Sequence, residues 1–185
     1  FKKRKISRLI FLMSSVKLLT VKTKKLKKNI IDKICHLKSQ HYKYNLKQQK
    51  IWFKKNIKDS YVHNIIMSNQ KVVGYNCLRD FYIKKKLCFY LFDTILIDNH
   101  FRKHGYSKLL MNKSNQIIKK KKVFGFLMCN KNMQKFYKNF QWKVLKSKNS
   151  IKPKKKIYMT YLFKNKTIFE VKNIYSIIEK LGNDK

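Results

Sequence analysis

The feature that most constrains this chain is an apolar run that leads through a basic turn with one glycine into a helical pattern. Residues 87–97 are rich in aromatic and β-branched side chains, which predicts a buried strand. Beyond the turn, apolar residues recur at helical spacing at Tyr106, Leu109, Leu110 and Ile117. A glycine before a helix lets backbone N–H groups approach a ligand, and the helix dipole favours an anion there. The pattern predicts a strand, a phosphate-binding turn and a helix in series.

These residues resemble a signature of the GNAT superfamily of N-acetyltransferases. That signature places Arg or Gln, then Gly, then Gly or Ala between a hydrophobic strand and a helix. Here the three positions hold Arg102, Gly105 and Ser107, and Ser is small enough to leave the loop open. An unrelated α/β domain is the alternative, since a strand followed by an amphipathic helix is common core structure.

A second signature of the same superfamily follows downstream at matching spacing. It consists of an Asn, then Phe-Tyr, then Gly-Phe, and a strand-like segment at residues 123–128 precedes it. The matching residues are Asn130, Phe136, Tyr137, Gln141 and Trp142. Because Gln141 replaces the Gly, the geometry of the turn after the last helix is left open.

The resemblance implies an α/β (α+β) fold with a mixed, mostly antiparallel central sheet of about six to seven strands flanked by helices. It also implies a splayed parallel strand pair at the cofactor wedge, acetyl-CoA as co-substrate, no metal, and direct transfer of the acetyl group to a primary amine. The residues that the resemblance assigns to the cofactor are Ile95, Ile97, Arg102, Lys103, His104, Gly105, Tyr106, Ser107 and Asn130.

Two residues are candidates for proton transfer. Tyr137 matches the motif tyrosine that would protonate the departing thiolate, and its alternative is a core tyrosine that packs the last helix. Asp93 is the one carboxylate within residues 87–97, and strand alternation places it on the same face as Leu91, Ile95 and Ile97. Asp93 could be the general base, or it could be satisfied by backbone or lysine while a water chain serves as base. His63 and His100 are weaker candidates, expected in solvent.

The acceptor side is less defined by the sequence. In the superfamily the first two helices wall the acceptor pocket, so Trp52 and Phe53 are either core residues or a stacking surface for a sugar or amine. The acceptors considered are an amino sugar, a nucleotide-linked amino sugar, a polyamine and a protein amine. The alternative function is a non-catalytic GNAT-like basic module that binds RNA or the ribosome.

The charge of the chain bears on that alternative. The formal net charge is +39, from 47 basic and 8 acidic residues. Only Arg4, Arg8, Arg79 and Arg102 are arginines, so lysines supply 47 − 4 = 43 of the basic residues. Guanidinium groups, which suit bidentate phosphate and base recognition, are therefore scarce. We expect no specific nucleic-acid partner, although the field favours anionic substrates.

The remaining pattern predicts an ordered series of short elements. Strands are expected at 16–21, 61–67, 72–83, 123–128, 142–145 and 157–163, and helices at 26–35, 46–57, 106–122, 132–140 and 174–181. Asn45 is the expected cap of the helix at 46–57, and residues 68–71 are expected to turn a hairpin.

The chain length suits one domain, which we place at residues 14–164. Residues 1–13 are interpreted as a non-native or upstream basic segment, with Met13 as the natural start, and residues 165–185 as a C-terminal helical extension. The four cysteines are dispersed, which predicts free thiols in a reducing cytoplasm and no zinc site. No apolar run is long enough to predict a membrane span.

Overall fold

Seven strands form one mixed sheet in this computed structural model, which describes residues 16–145 and 156–162. The strands are β1 (Val16–Lys22), β2 (Val62–Ser68), β3 (Lys71–Ile83), β4 (Lys86–Ile97), β5 (Phe124–Asn130), β6 (Lys143–Val144) and β7 (Lys156–Tyr161). Their order is β1-β2-β3-β4-β5-β7-β6, and every neighbouring pair is antiparallel except β4 and β5. The mixed, mostly antiparallel sheet confirms the predicted fold class.

Within the described residues, four α-helices accompany the sheet: α1 (Lys28–Ser39), α2 (Leu46–Asn56), α3 (Tyr106–Lys120) and α4 (Gln134–Lys138). One core lies between the sheet and α1 and α2, where Ile34 and Phe53 meet Tyr75. A second core lies on the opposite face, where Met111 of α3 packs with Phe92 and Trp142. Helices on both faces follow from the apolar stripes that their sequences carry.

Local sequence signals explain the turns and caps. Asn45 and Gln48 form a reciprocal capping box at the start of α2, as the cap at Asn45 predicted. Asn69 and Gln70 both have positive φ in the β2–β3 turn, and Lys84 and Lys85 repeat this between β3 and β4. Two-residue hairpin turns of this hand match the twist of the flanking strands, so the hairpin expected at residues 68–71 is confirmed.

A β-bulge interrupts the pairing of β3 with β4. Cys77 pairs with Thr94 and Leu78 pairs with Phe92, which leaves Asp93 as an extra residue. Past an extra residue the alternation of faces is displaced by one. Ile95 and Ile97 therefore pack toward α3, whereas the Asp93 carboxylate contacts Arg79 on the α2 side. The expectation that Asp93 shares a face with Ile95 and Ile97 is wrong, because simple alternation cannot anticipate a bulge.

The parallel pairing of β4 with β5 ends immediately before this bulge. The paired positions are Phe89 with Phe124, Tyr90 with Gly125, and Leu91 with Phe126. Beyond them β4 continues to Ile97 and β5 to Asn130, and β5 stays paired with β7 along that length. Within the described residues, a gap thus opens between residues 92–97 and 127–130, which confirms the predicted splayed pair.

Buried polar side chains fix α3 over the sheet. The Ser114 hydroxyl accepts hydrogen bonds from Asn64 Nδ2 at 3.1 Å and Asn76 Nδ2 at 2.6 Å, and Thr20 Oγ1 donates to Asn64 Oδ1 at 2.7 Å. All but Thr20 are fully buried. Hydrogen-bonded buried groups favour one register, so this network holds the Ser114 turn of α3 against β2 and β3.

The turn after α4 keeps the conformation that glycine would provide. Gln141 has φ +67°, in the left-handed region. The indole of Trp142 then packs over Gly125, and its Nε1 donates to Asn115 Oδ1 at 3.0 Å. The Gln in place of the family Gly therefore leaves the turn intact.

Several sequence expectations lie outside the described residues. They are the segment 1–13 with its proposed start at Met13, the loop that contains Pro153, and the C-terminal helical extension at 165–185. All four cysteines are described and all are free thiols, as expected.

Gly125→Ala is expected to destabilise the fold by about 1–3 kcal/mol through overpacking. The new Cβ would lie 2.7 Å from Trp142 Cη2 and 2.9 Å from Ile118 Cδ1. Urea unfolding measures the effect. As a control, Trp142→Phe shortens the overlying ring, so the double variant should lose less stability than the sum of the singles; strict additivity would contradict the stated contact.

Candidate active site

Gly105 forms the turn between β4 and α3. Its φ of +78° is a conformation that side-chain-bearing residues rarely adopt, and it occupies the N-cap position of α3 without a side-chain cap. A Cβ added there would meet no protein atom within 4 Å. The space beside Gly105 is therefore open and no side chain caps the first amides of α3, so this turn could hold an anion such as a pyrophosphate.

The other residues assigned to the cofactor surround this turn. Arg102, Lys103 and His104 are exposed, Tyr106 and Ser107 are half-buried, and His104 Nδ1 lies 2.7 Å from the Arg102 carbonyl oxygen. Asn130 is exposed at the end of β5. The loop therefore adds cations beside the amide cradle, as a phosphate site requires.

Ile95 and Ile97 present their backbone amides to the gap. The amide of Asp98 donates to the Val73 carbonyl of β3 at 2.9 Å. Successive amides of a strand point to opposite sides, so those of Ile97 and Ile95 point away from β3. The neighbour on that side is the separated end of β5. These two N–H groups can accordingly donate to a ligand in the gap.

Tyr137 lies at the same gap, against both walls. Its ring packs edge-on to Phe92 of β4 at 6.1 Å between centroids. Burial raises the pKa of its hydroxyl well above the usual range, and nearby Cys129 of β5 and Tyr42 add to that effect. The side chain is 7% exposed. A protonated hydroxyl held here could donate a proton, while the ring also serves the core.

A hydrogen bond between two hydroxyl groups links the segment between α1 and α2 to β4. Tyr42 Oη and Thr94 Oγ1 are 2.5 Å apart, and Thr94 follows directly after the bulge. Burial also raises the pKa of Tyr42. The segment between α1 and α2 is thereby held close to the point where β4 and β5 separate.

Asp93 belongs to a buried charged cluster on the α2 side of the sheet. Arg79 Nη2 donates to Asp93 Oδ2 at 2.9 Å, with 8% and 9% of the two side chains exposed. Lys38 Nζ lies 3.8 Å from the centroid of the Trp52 ring, and the Arg79 guanidinium lies 5.2 Å from it. Burial lowers the pKa of Lys38, an effect that Asp93 opposes. Two cations and one carboxylate thus meet beside the bulge.

The two aromatic residues proposed for the acceptor have different surroundings. Phe53 is 4% exposed and stacks on His63, so it is part of the core. Trp52 is half-buried, with Lys38 and Arg79 against its ring. Only Trp52 retains surface that a substrate could contact.

His63 is fully buried, which corrects the expectation that it lies in solvent. Its Nδ1 lies 2.9 Å from the Tyr75 hydroxyl and its Nε2 lies 2.8 Å from Thr23 Oγ1. The physical reason is that β1 pairs outside β2, so β2 is an interior strand. His100 is exposed, as expected.

Sequence reasoning missed Arg79, Lys38, Tyr42 and Thr94. A signal existed for Arg79, which is one of four arginines among 47 basic residues and lies within a predicted strand. Its hairpin neighbour β4 carries one carboxylate, Asp93. No sequence signal distinguishes Lys38 from the other lysines of the chain, since its burial depends on the packing of α1 against α2.

The comparisons with known proteins agree with this geometry. The acetyltransferase (GNAT) family model matches residues 31–142, and the chain belongs to that family. The match spans α1 through Trp142 and so includes the gap, the Gly105 turn and Tyr137. Family and fold together support acyl transfer from an acyl-CoA.

Solved structures show the same fold at low sequence identity. An acyl-CoA N-acyltransferase from Pseudomonas aeruginosa is similar with a TM-score of 0.64 and 14% identity, covering 79% of this chain and 99% of that one. Arabidopsis thaliana Naa50, in complex with the bisubstrate analogue CoA-Ac-MVNAL, gives 0.61 and 16%, with 80% and 99% covered. An aminoglycoside 6'-N-acetyltransferase complexed with coenzyme A gives 0.63 and 10%, with 77% and 96% covered.

Comparison of the sequence with curated proteins found no relative. Among the described residues, no group of three or more His, Cys, Asp or Glu side chains could hold a metal ion. None of the helices in residues 16–145 or 156–162 has the length and apolar composition needed to cross a bilayer.

The buried His63 predicts a loss of stability in mild acid. Burial lowers its pKa to about 4, from 6.5 when unfolded, so the unfolded chain binds the proton more tightly. Stability is retained above the unfolded pKa and falls as the pH drops toward the folded one, by about 2 kcal/mol between about pH 7.5 and about pH 5.

Urea unfolding of His63→Gln at both pH values measures this contribution. The variant should show a smaller pH dependence than the parent, whereas the control His100→Gln, at an exposed position, should match the parent. If the free energy of unfolding of His63→Gln changed with pH as much as that of the parent, His63 would not be the cause of the acid destabilisation.

Proposed function

We propose that the chain transfers the acetyl group of acetyl-CoA to a primary amine by direct attack. The observation that carries this proposal is the gap between residues 92–97 and 127–130, with the Gly105 cradle at the start of α3 beside it. A cofactor with a pyrophosphate and an extended amide-bearing arm suits a helix N-terminus next to unpaired strand edges.

The donor would be held by backbone groups more than by side chains. The amides of residues 105–107 would bind the pyrophosphate, with Arg102 and Lys103 as auxiliary charges. Asn130, exposed at the far wall of the gap, would contact the arm. The N–H groups of Ile95 and Ile97 would donate hydrogen bonds to the arm and to the thioester oxygen, where negative charge develops during attack.

Proton transfer is assigned to Tyr137 for the departing thiolate. Two observations support this assignment: burial raises the pKa of the Tyr137 hydroxyl, and its ring packs edge-on to Phe92 of β4 in an apolar cluster that also contains Cys129 of β5. Asp93 as the general base stays a prediction. Its buried ion pair with Arg79 supports a structural role for this carboxylate.

The proposed acceptor is an amino sugar or a nucleotide-linked amino sugar. Trp52 offers a ring for stacking, and Lys38 and Arg79 beside it are cations that favour an acceptor with an anionic group. A polyamine would meet charge repulsion at that wall. Acetyl transfer to glucosamine, spermidine and a lysine peptide, with RNA binding measured alongside, separates these acceptors from the RNA-binding alternative.

Gly105→Asn is expected to fold and to lose CoA affinity by about ten-fold or more. Asn tolerates the left-handed conformation, and its Cβ meets no protein atom within 4 Å, so only a ligand can oppose it. Isothermal titration with CoA measures the loss.

The matched control is Lys122→Asn, at a left-handed position (φ +54°) just beyond the other end of α3. It should retain the CoA affinity of the parent. Parental affinity in a folded Gly105→Asn protein would remove the turn from the site.

Tyr137→Phe is expected to lower turnover by about ten- to a thousand-fold and to leave CoA affinity unchanged, since only a proton donor is removed. Steady-state kinetics with the best acceptor of the panel measure it. Tyr90→Phe is the control, because Tyr90 is buried in the same core but lies in the paired part of β4. Equal turnover for parent and Tyr137→Phe would make Tyr137 a packing residue.

A further inference from the structure

The Arg79–Asp93 ion pair lies at the point where the sheet opens. Arg79 of β3 is opposite Leu91, the last residue of β4 that pairs with β5. Asp93 is the extra residue of the bulge, two positions further along. The hydrogen bond of 2.9 Å between the two side chains therefore ties the bulged residue back to β3.

The surroundings of the pair are almost closed to solvent. The Arg79 guanidinium packs between the rings of Trp52 and Tyr61, at 5.2 Å and 5.8 Å from their centroids. Lys38 of α1 contacts the Trp52 ring of the same cluster, and Tyr42 forms a hydrogen bond with Thr94, the residue after Asp93. A buried ion pair adds little net stability compared with apolar residues of the same size. We therefore consider its effect on the geometry of the strand.

The presence of arginine at position 79 also indicates a geometric role. Lysine supplies 43 of the 47 basic residues, yet an arginine occupies this buried place. A planar guanidinium can stack on aromatic rings while it donates to a carboxylate in a fixed direction, and an ammonium cannot. The position thus uses the one cation that fixes orientation as well as charge.

We infer that Arg79 is a positioning residue, whose ion pair with Asp93 holds the bulge of β4 so that the Ile95 and Ile97 amides face the gap. The Asp93 oxygen that accepts the guanidinium hydrogen bond anchors β4 to β3. The inference rests on the proposed function, because those amides matter only if acetyl-CoA lies in the gap.

The test uses the double variant Arg79→Met/Asp93→Asn, which removes both charges together. Removing one partner would leave an unpaired buried charge and endanger folding, whereas removing both is tolerated far better. The matched control is Lys50→Met/Asp32→Asn, which removes the exposed ion pair (2.7 Å) between α2 and α1. Backbone amide NMR shifts on addition of acetyl-CoA are the readout, with residues 105–107 as an internal reference for cofactor binding.

The parent and the control should show acetyl-CoA shifts at Ile95 and Ile97 as well as at 105–107. The folded double variant should keep the shifts at 105–107 and lose those at Ile95 and Ile97, and its turnover should fall by about ten- to a hundred-fold. Parental shifts and turnover in the double variant would overturn the inference. Absence of shifts at 105–107 in the parent would instead refute the proposed function.

Single variants separate positioning from general base catalysis. If Asp93 positions the strand, the folded single variants Arg79→Met and Asp93→Asn should reduce kcat by the same factor. The double variant should show that same reduction and not the product of the two. All three variants should keep the acid limb of the pH profile of kcat. Arg79→Lys, which retains the charge, should restore part of the activity. Loss of the acid limb in Asp93→Asn, with turnover retained in Arg79→Met, would make Asp93 the base and overturn the inference.

Discussion

One extra residue in β4 is the constraint on which the rest of the site depends. The bulge offsets the pairing of β4 with β3 by one residue and bends the strand locally, and it lies where β4 and β5 separate. In this sheet β4 stays with β3 past the bulge and parts from β5. The free edges that result have backbone donors and acceptors without strand partners, and such groups need a ligand or water. The gap thus begins where the register of β4 changes.

The elements around the gap are held by contacts made elsewhere in the fold. The network of Asn64, Asn76 and Ser114 holds α3 over β2 and β3, and α3 begins directly after Gly105. On the far wall, β5 is kept straight by its pairing with β7, and Trp142 packs over Gly125 where β4 and β5 are still joined. The rigid sheet therefore supports a turn and a tyrosine whose positions must agree within a few tenths of an ångström.

Local patterns in the sequence predicted most of the fold and the loop at Gly105, because turns, caps and amphipathic stripes depend on neighbouring residues. The cap at Asn45, the turn at Asn69 and Gln70, and the strand, turn and helix around Gly105 are all of this kind. The face of Asp93, the burial of His63 and the partner of Asp93 were not predicted. The face and the partner of Asp93 depend on a bulge in the β3–β4 hairpin, and the burial of His63 depends on β1 pairing outside β2; alternation alone encodes neither.

The measurement that tests the central claim most directly is a crystal structure of the chain with CoA. The account predicts the pyrophosphate within hydrogen-bond distance of the amides of residues 105–107, and the pantetheine arm between residues 92–97 and 127–130. The amides of Ile95 and Ile97 should point at that arm. CoA bound elsewhere on the surface, or a closed β4–β5 pair in the complex, would contradict the account.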